Sequence, residues 1–258
     1  MTDNFSGADD NGLWIRRFHP RPDSAVRLVC LPHAGGSASF YFPVSRAMPD
    51  FADVLCVQYP GRQDRRAEPL VDNIPDLADQ VYAALLPWAD RPLALFGHSM
   101  GASLAFEVAR RLERDKGIVP AYLFASGRRA PSTHRDERVH LQDDNGLIAE
   151  MRRLSGTSTQ LLGDEEVLRM ILPAIRSDYR AAETYAYEPG EPLTCPVLGL
   201  VGDDDPKVNL DEAAAWAGHT EGSFDLKVFK GGHFYLAEHQ AAVIKEMADR
   251  LRPLAGKA

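Results

Sequence analysis

The serine of Gly97-His98-Ser99-Met100-Gly101 is the residue of this chain whose surroundings most directly imply a reaction. The pentapeptide follows the apolar run Leu93–Phe96 and precedes a helical pattern, so it reads as strand, sharp turn and helix, the setting of a nucleophile elbow. Strand and helix approach closely across such a turn. Gly97 and Gly101 supply the small residues this needs, two positions to either side of the serine. A serine hydroxyl is a weak nucleophile and requires a base within hydrogen-bond reach, itself oriented by a third group.

Where such an elbow sits on an α/β sheet, its partners follow in the chain order serine, carboxylate, histidine. Of the eight histidines, His19, His33 and His98 precede Ser99. His134 and His140 begin a helical stretch ahead of any suitable acid, His219 follows the helix Asp211–Trp216, and His239 lies on the last helix. His233, in Gly231-Gly232-His233-Phe234, follows the strand Leu226–Phe229, which puts it at the sheet edge that carries Ser99. It is the candidate base. The strand Ala121–Ala125 ends in Ser126-Gly127-Arg128-Arg129, with no carboxylate at hand. The strand Val197–Val201 ends in Gly202-Asp203-Asp204-Asp205-Pro206. Asp205 fits best as the acid, since it completes a Gly-x-x-Asp turn and Pro206 restricts its backbone. Asp203 and Asp204 remain alternatives.

A tetrahedral intermediate needs N–H donors aimed at its oxyanion. The backbone of Met100, next after the nucleophile, is one candidate. The second is Ala34, in the loop Pro32-His33-Ala34-Gly35-Gly36 that follows the strand Val26–Leu31. His33 and His98 are expected to orient these loops and not to do chemistry.

The elements around these residues alternate. Short apolar runs at Leu13–Phe18, Val26–Leu31, Val54–Gln58, Leu93–Phe96, Ala121–Ala125, Val197–Val201 and Leu226–Phe229 are separated by amphipathic helical patterns such as Pro75–Leu86 and Ala102–Leu112. This is the signature of an α/β fold with a mainly parallel central sheet flanked by helices. One region departs from it. Between Ser132 and Glu188 helices are predicted at Asp143–Leu154 and Asp164–Tyr185, the second kinked at Pro173, with polar Gly156–Gln160 between them. Val167, Leu168, Ile171, Leu172 and Ile175 give the second helix an apolar face. Residues 133–188 thus read as a helical lid inserted within a single domain, 1–258.

The 258 residues are 45% hydrophobic and 26% charged, which suits a soluble globular chain. A formal charge of -8 argues against nucleic-acid binding. Cys30, Cys56 and Cys195 are widely spaced, as buried thiols of a reducing compartment would be, and do not suggest a disulfide frame or zinc site. No apolar run approaches the ~20 residues a membrane span needs. No metal site, no membrane association, a cytoplasmic location and a monomer are expected.

Taken together, Pro32-His33-Ala34-Gly35-Gly36, Tyr59-Pro60-Gly61-Arg62, the Ser99 elbow, Gly202-Asp203-Asp204-Asp205-Pro206 and Gly231-Gly232-His233-Phe234 resemble the type II thioesterases of polyketide and nonribosomal peptide synthesis. The resemblance runs from about Leu28 to Leu251 and implies an α/β-hydrolase fold. It carries the nucleophile to Ser99, the acid to Asp205, the base to His233 and the oxyanion donors to the backbones of Ala34 and Met100. It implies a stand-alone enzyme that hydrolyses stalled or wrong acyl groups from the phosphopantetheine arm of acyl or peptidyl carrier domains. No cofactor is then needed beyond the arm on the substrate. Phe40, Tyr59 and lid residues would shape an acyl pocket, and Arg62, Arg65, Arg66, Arg128 and Arg129 would meet the pantetheine phosphate or an acidic carrier surface. A general carboxylesterase or an acyltransferase on the same scaffold is the alternative enzyme, and a catalytically silent binding module the non-enzymatic one.

Overall fold

The structure, a computed structural model, describes residues 9–155 and 165–256; the polar separator Gly156–Gln160 therefore lies outside the described residues. Seven strands form one sheet: β1 (Ile15–Arg16), β2 (Val26–Leu31), β3 (Ala52–Val57), β4 (Leu93–His98), β5 (Tyr122–Ser126), β6 (Val197–Gly202) and β7 (Phe224–Phe229). Their spatial order is β1-β3-β2-β4-β5-β6-β7, and every pairing but β1 with β3 is parallel. Buried β2, β3, β4 and β6 are near-continuous apolar runs because both faces of a parallel sheet are covered. Edge strand β7 is mixed in sequence and partly exposed, with Asp225, Lys227 and Val228 open to solvent and Phe229 buried.

Side chains alternate across the pleat. Val29, Leu31, Leu55 and Leu95 face α3 (Ile74–Leu85) and α4 (Met100–Lys116), packing on Leu77, Val81, Leu104 and Val108. Leu28, Cys30, Val54 and Phe96 face the other way, toward α2 (Phe42–Ala47) and α9 (Gln240–Leu251), against Val44, Ile244 and Met247. Asn73 caps α3 by accepting from the Asp76 amide, and left-handed Gly117 (φ +64) ends α4. The expected strand Leu13–Phe18 is shorter than its apolar pattern. Asp9–Trp14 forms helix α1, only Ile15 and Arg16 pair with β3, and Arg17 pairs with Asp53 of β3 at 2.7 Å.

Between β5 and β6 no strand occurs among the described residues. The chain forms α5 (Asp144–Ser155) and α6 (Glu165–Thr184), with Pro173 inside α6. Val139, Leu147, Leu172, Ile175 and Tyr179 join the two helices in a small core of their own. The remaining helices are short: α7 (Leu210–Ala214) after β6 and α8 (Tyr235–Glu238) after β7. No described helix is long and apolar enough to cross a membrane.

The strand order positions the site. From β2 the chain moves outward to β3 and then crosses back to β4 on the other side of β2. The loops leaving β2 and β4 therefore diverge and open a crevice at the carboxyl ends of the strands, where α/β sheets bind ligands. The β2 loop carries Ala34, and the β4 loop carries Ser99.

Candidate active site

Ser99 has φ 56° and ψ −119°, a conformation that costs an L-residue about 1–3 kcal/mol. Packing enforces it. The Ser99 amide donates to the Ser126 carbonyl of neighbouring β5 at 2.8 Å. A Cβ on Gly97 would lie 2.0 Å from the Gly101 carbonyl oxygen, and one on Gly101 would lie 2.2 Å from that of Leu31. The first turn of α4 thus rests directly on the ends of β2 and β4, which only glycine permits. Met100 is the first residue of α4, so its N–H has no acceptor within the helix.

His233 and Asp205 sit on the loops that leave β7 and β6. His233 Nδ1 lies 3.0 Å from Asp205 Oδ1 and 2.9 Å from Oδ2, with both residues buried. Nδ1 thus donates to the carboxylate, which directs Nε2 to act as the acceptor. The Lys207 amide donates to Asp205 Oδ1 at 2.8 Å and holds the carboxylate in place. Asp203 and Asp204 are exposed and do other work. Asp203 Oδ1 accepts the Gly231 amide at 2.8 Å, and the Asp204 amide donates to the Gly231 carbonyl at 3.0 Å, so the two loops are stitched together just before His233.

Two further imidazoles back the site. The His98 ring lies 4.9 Å from His233, and His33 lies 5.9 Å from His98. Burial first, and then the neighbouring His233, lowers His33 to about 3 and holds His98 well below the usual histidine range. Both stay neutral, so neither competes with His233 for a proton. His98 Nδ1 meets Ser126 Oγ at 2.9 Å, and Ser126 Oγ meets the Tyr235 hydroxyl at 2.6 Å. That chain fixes the ring against which His233 packs.

Ser99 and His233 open on one cavity of about 230 Å³. Ala34 and Gly35 border it beside the serine, Met151, Leu154, Ile171 and Ile175 from α5 and α6 give it an apolar wall, and Arg128, Glu137, Glu183 and Lys207 add polar groups. Glu137 is held down to about 2: burial works against that, but Lys207 and Arg129 outweigh it. Among the described residues, no cluster of three His, Cys, Asp or Glu is placed to hold a metal ion.

The structure places the other sequence-predicted residues differently from one another. Tyr59 is buried and donates its hydroxyl to the Pro32 carbonyl at 3.0 Å, bracing the β2 loop instead of lining the cavity. Phe40 stacks edge-on against His33 at 4.7 Å and borders a separate apolar cavity with Phe96 and Ile244. Arg62 and Arg65 lie inside the fold, not on a rim. Arg62 forms a two-pronged pair with Asp178 at 2.5 and 2.8 Å, and Arg65 pairs with Glu68 and donates to the Gln58 carbonyl at 2.7 Å over the Trp14 ring. Arg129 is likewise engaged, by Glu137 at 2.7 Å. Arg128 does border the cavity, donating to Ser103 Oγ and the Ala182 carbonyl, both at 2.9 Å. Sequence reasoning missed Asp178. Its signal was present as a carboxylate on the stripe Ile171, Ile175, Asp178, Ala182 at helical spacing, since an acid on a core-facing stripe needs a partner.

A strained serine between strand and helix, and a histidine with its carboxylate on the next loops of a mostly parallel sheet, define a serine hydrolase of the α/β-hydrolase fold. Within that class the chain belongs to the thioesterase family, whose thioesterase-domain model matches residues 26–251, and it acts on thioesters. It is 56% identical over 243 residues to thioesterase PikA5 of Streptomyces venezuelae, covering 94% of this chain and 86% of that protein. It is 34% identical over 240 residues to the gramicidin S biosynthesis protein GrsT of Aneurinibacillus migulanus, covering 93% and 94% of the two chains. Among solved structures, the type II thioesterase BorB of the borrelidin biosynthetic cluster superposes with a TM-score of 0.84 at 52% identity, over 93% of this chain and 97% of that one. The RedJ thioesterase of prodiginine biosynthesis in Streptomyces coelicolor gives 0.85 at 34% identity, over 90% and 89%.

Proposed function

We propose that this chain releases acyl groups from the phosphopantetheine arms of acyl or peptidyl carrier domains, with Ser99 as nucleophile, His233 as general base and acid, and Asp205 orienting and balancing the imidazole. Ser99 Oγ attacks the thioester carbonyl while His233 Nε2 takes its proton. The oxyanion is received by the amides of Ala34 and Met100, each such donor being worth about 3 kcal/mol in the transition state. Collapse expels the pantetheine thiol, which leaves with the proton from His233, and an acyl-serine remains. Water then attacks, activated by the same imidazole, and frees the acid and Ser99.

The observation that carries this reading is the shared cavity of Ser99 and His233, with Asp205 behind the histidine. Residues 133–188 act as a lid: α5 and α6 supply the apolar wall, so their side chains select the acyl group. The biosynthetic thioesterases to which the chain is similar support carrier-bound substrates. The test is intact-protein mass spectrometry after rapid mixing with an acyl thioester. The expected result is an added mass equal to the acyl group, mapped to Ser99 and lost in Ser99→Ala. An adduct that persists in Ser99→Ala contradicts the assignment.

A further inference from the structure

Helix α6 reaches the β2 loop through one buried carboxylate. Asp178 is 1% exposed, and its Oδ2 accepts the Gly35 amide at 2.7 Å. Arg62 grips the same carboxylate from the other side, Nη1 to Oδ2 at 2.5 Å and Nη2 to Oδ1 at 2.8 Å. Nη1 also donates to the Gly36 carbonyl at 3.1 Å. Ile175, about one turn earlier on α6, packs so closely that a Cβ on Gly35 would lie 2.9 Å from its Cγ1. Before Ala34, the Tyr59 hydroxyl holds Pro32, and the Arg62 guanidinium lies 5.2 Å from the centre of the Tyr59 ring. Ala34 is therefore bracketed: Tyr59 fixes the chain two residues before it, and Asp178 and Arg62 fix the next two residues.

A buried ion pair is a poor device for stability alone, because desolvation offsets much of its attraction and apolar residues of similar volume often serve as well. What it supplies is direction. The planar fork of arginine fixes the plane of the carboxylate, and the carboxylate fixes one amide. We propose that Asp178 and Arg62 are positioning residues that hold the Ala34 amide at the oxyanion site and make its geometry depend on how α6 is seated. The insertion thereby acts on turnover as well as on the choice of acyl group. This rests on the reading of Ala34 as an oxyanion donor.

The test compares two inhibitors built on the same acyl-pantetheine frame. A trifluoromethyl ketone adds Ser99 Oγ to its carbonyl carbon, the carbonyl electrons move to oxygen, and the serine proton passes to His233, so its affinity reports the oxyanion site. The matching methyl ketone binds without adding. In Asp178→Asn, affinity for the trifluoromethyl ketone is expected to fall about tenfold or more and kcat to fall in step, while KM and methyl ketone affinity are unchanged. Arg62→Lys keeps the charge but loses the fork, and should show the same pattern at smaller size, which serves if Asp178→Asn folds poorly. Folded variants that retain trifluoromethyl ketone affinity and kcat, or lose both ketones equally, overturn the proposal. Ala34→Pro, which lacks the N–H, separates the two claims: undiminished trifluoromethyl ketone affinity in that variant would refute Ala34 as a donor, whereas affinity lost there but kept in Asp178→Asn overturns the positioning role alone.

Discussion

His233 Nδ1 lies within 3.0 Å of both carboxylate oxygens of Asp205, on a loop that Asp203 ties down at Gly231. Of three consecutive aspartates, Asp205 thus faces the imidazole, the Asp203 carboxylate holds the turn before it and Asp204 joins that turn through its backbone amide. Replacing Asp205 with Asn removes the charge and favours the wrong imidazole tautomer. Asp205→Asn is expected to lower kcat by about 10³–10⁴ with little change in KM. Asp203→Ala, which disturbs only the loop, should cost far less. Steady-state turnover of an acyl thioester compares them, and equal losses would contradict the division.

The elbow predicts an unusual sensitivity to single methyl groups. Gly97→Ala drives a Cβ to 2.0 Å from a backbone carbonyl oxygen that has no rotamer with which to escape. It should destabilise the fold by about 3 kcal/mol or more. Gly218→Ala, where nothing lies within 4 Å of the new Cβ, should stay within about 0.5 kcal/mol of the parent. Urea unfolding measures both.

The neutral histidines set the acid limit of stability. His33 is lowered from 6.5 to about 3, and His98 is lowered as well. Below 6.5 the unfolded chain takes up protons that the folded chain does not. The stabilisation is therefore complete above 6.5 and is lost as the pH falls, for His33 by roughly 2 kcal/mol over the first two pH units toward its folded value of about 3, with His98 adding a loss of the same sign. Glu137, held at about 2, adds a loss of the same sign below 4.5. Melting temperatures across this range should start to fall near pH 6.5, and the early part of the fall should shrink in His33→Asn. A flat profile down to pH 4.5 would show that these rings are protonated in the folded state.

All three cysteines are buried, and burial, the leading cause at each, raises their thiols, with Cys56 pushed up to about 12. A thiol-specific disulfide reagent should leave the native protein unlabelled over minutes and titrate three thiols in denaturant. Rapid labelling of the native chain would mean that a strand bearing a cysteine opens readily.

Much of this was legible in the sequence, for identifiable reasons. Strands such as Val26–Leu31, Arg27 apart, and Val197–Gly202 are apolar because both faces are covered, and that near-continuity is visible residue by residue. Ser99 and His233 could be singled out because glycines flank each of them. Leu13–Phe18 misled because its first residues belong to helix α1 (Asp9–Trp14), so that only Ile15 and Arg16 are left to pair with β3. Arg62 and Arg65 misled for another reason. Charge on a motif suggests a surface, but Arg62 is matched by Asp178, 116 positions away, and no local pattern pairs them. Of Asp203, Asp204 and Asp205, only the tertiary geometry says which one turns toward His233.

The central claim is that the substrate is an acyl group on a carrier domain. The most direct measurement is kcat/KM for one acyl group presented as a carrier-domain thioester, as a coenzyme A thioester and as a simple oxygen ester, with Ser99→Ala as control. The carrier thioester is expected to be hydrolysed with the highest kcat/KM and Ser99→Ala to abolish turnover of all three. Equal kcat/KM for carrier and coenzyme A thioesters, or faster hydrolysis of the oxygen ester, would contradict the account.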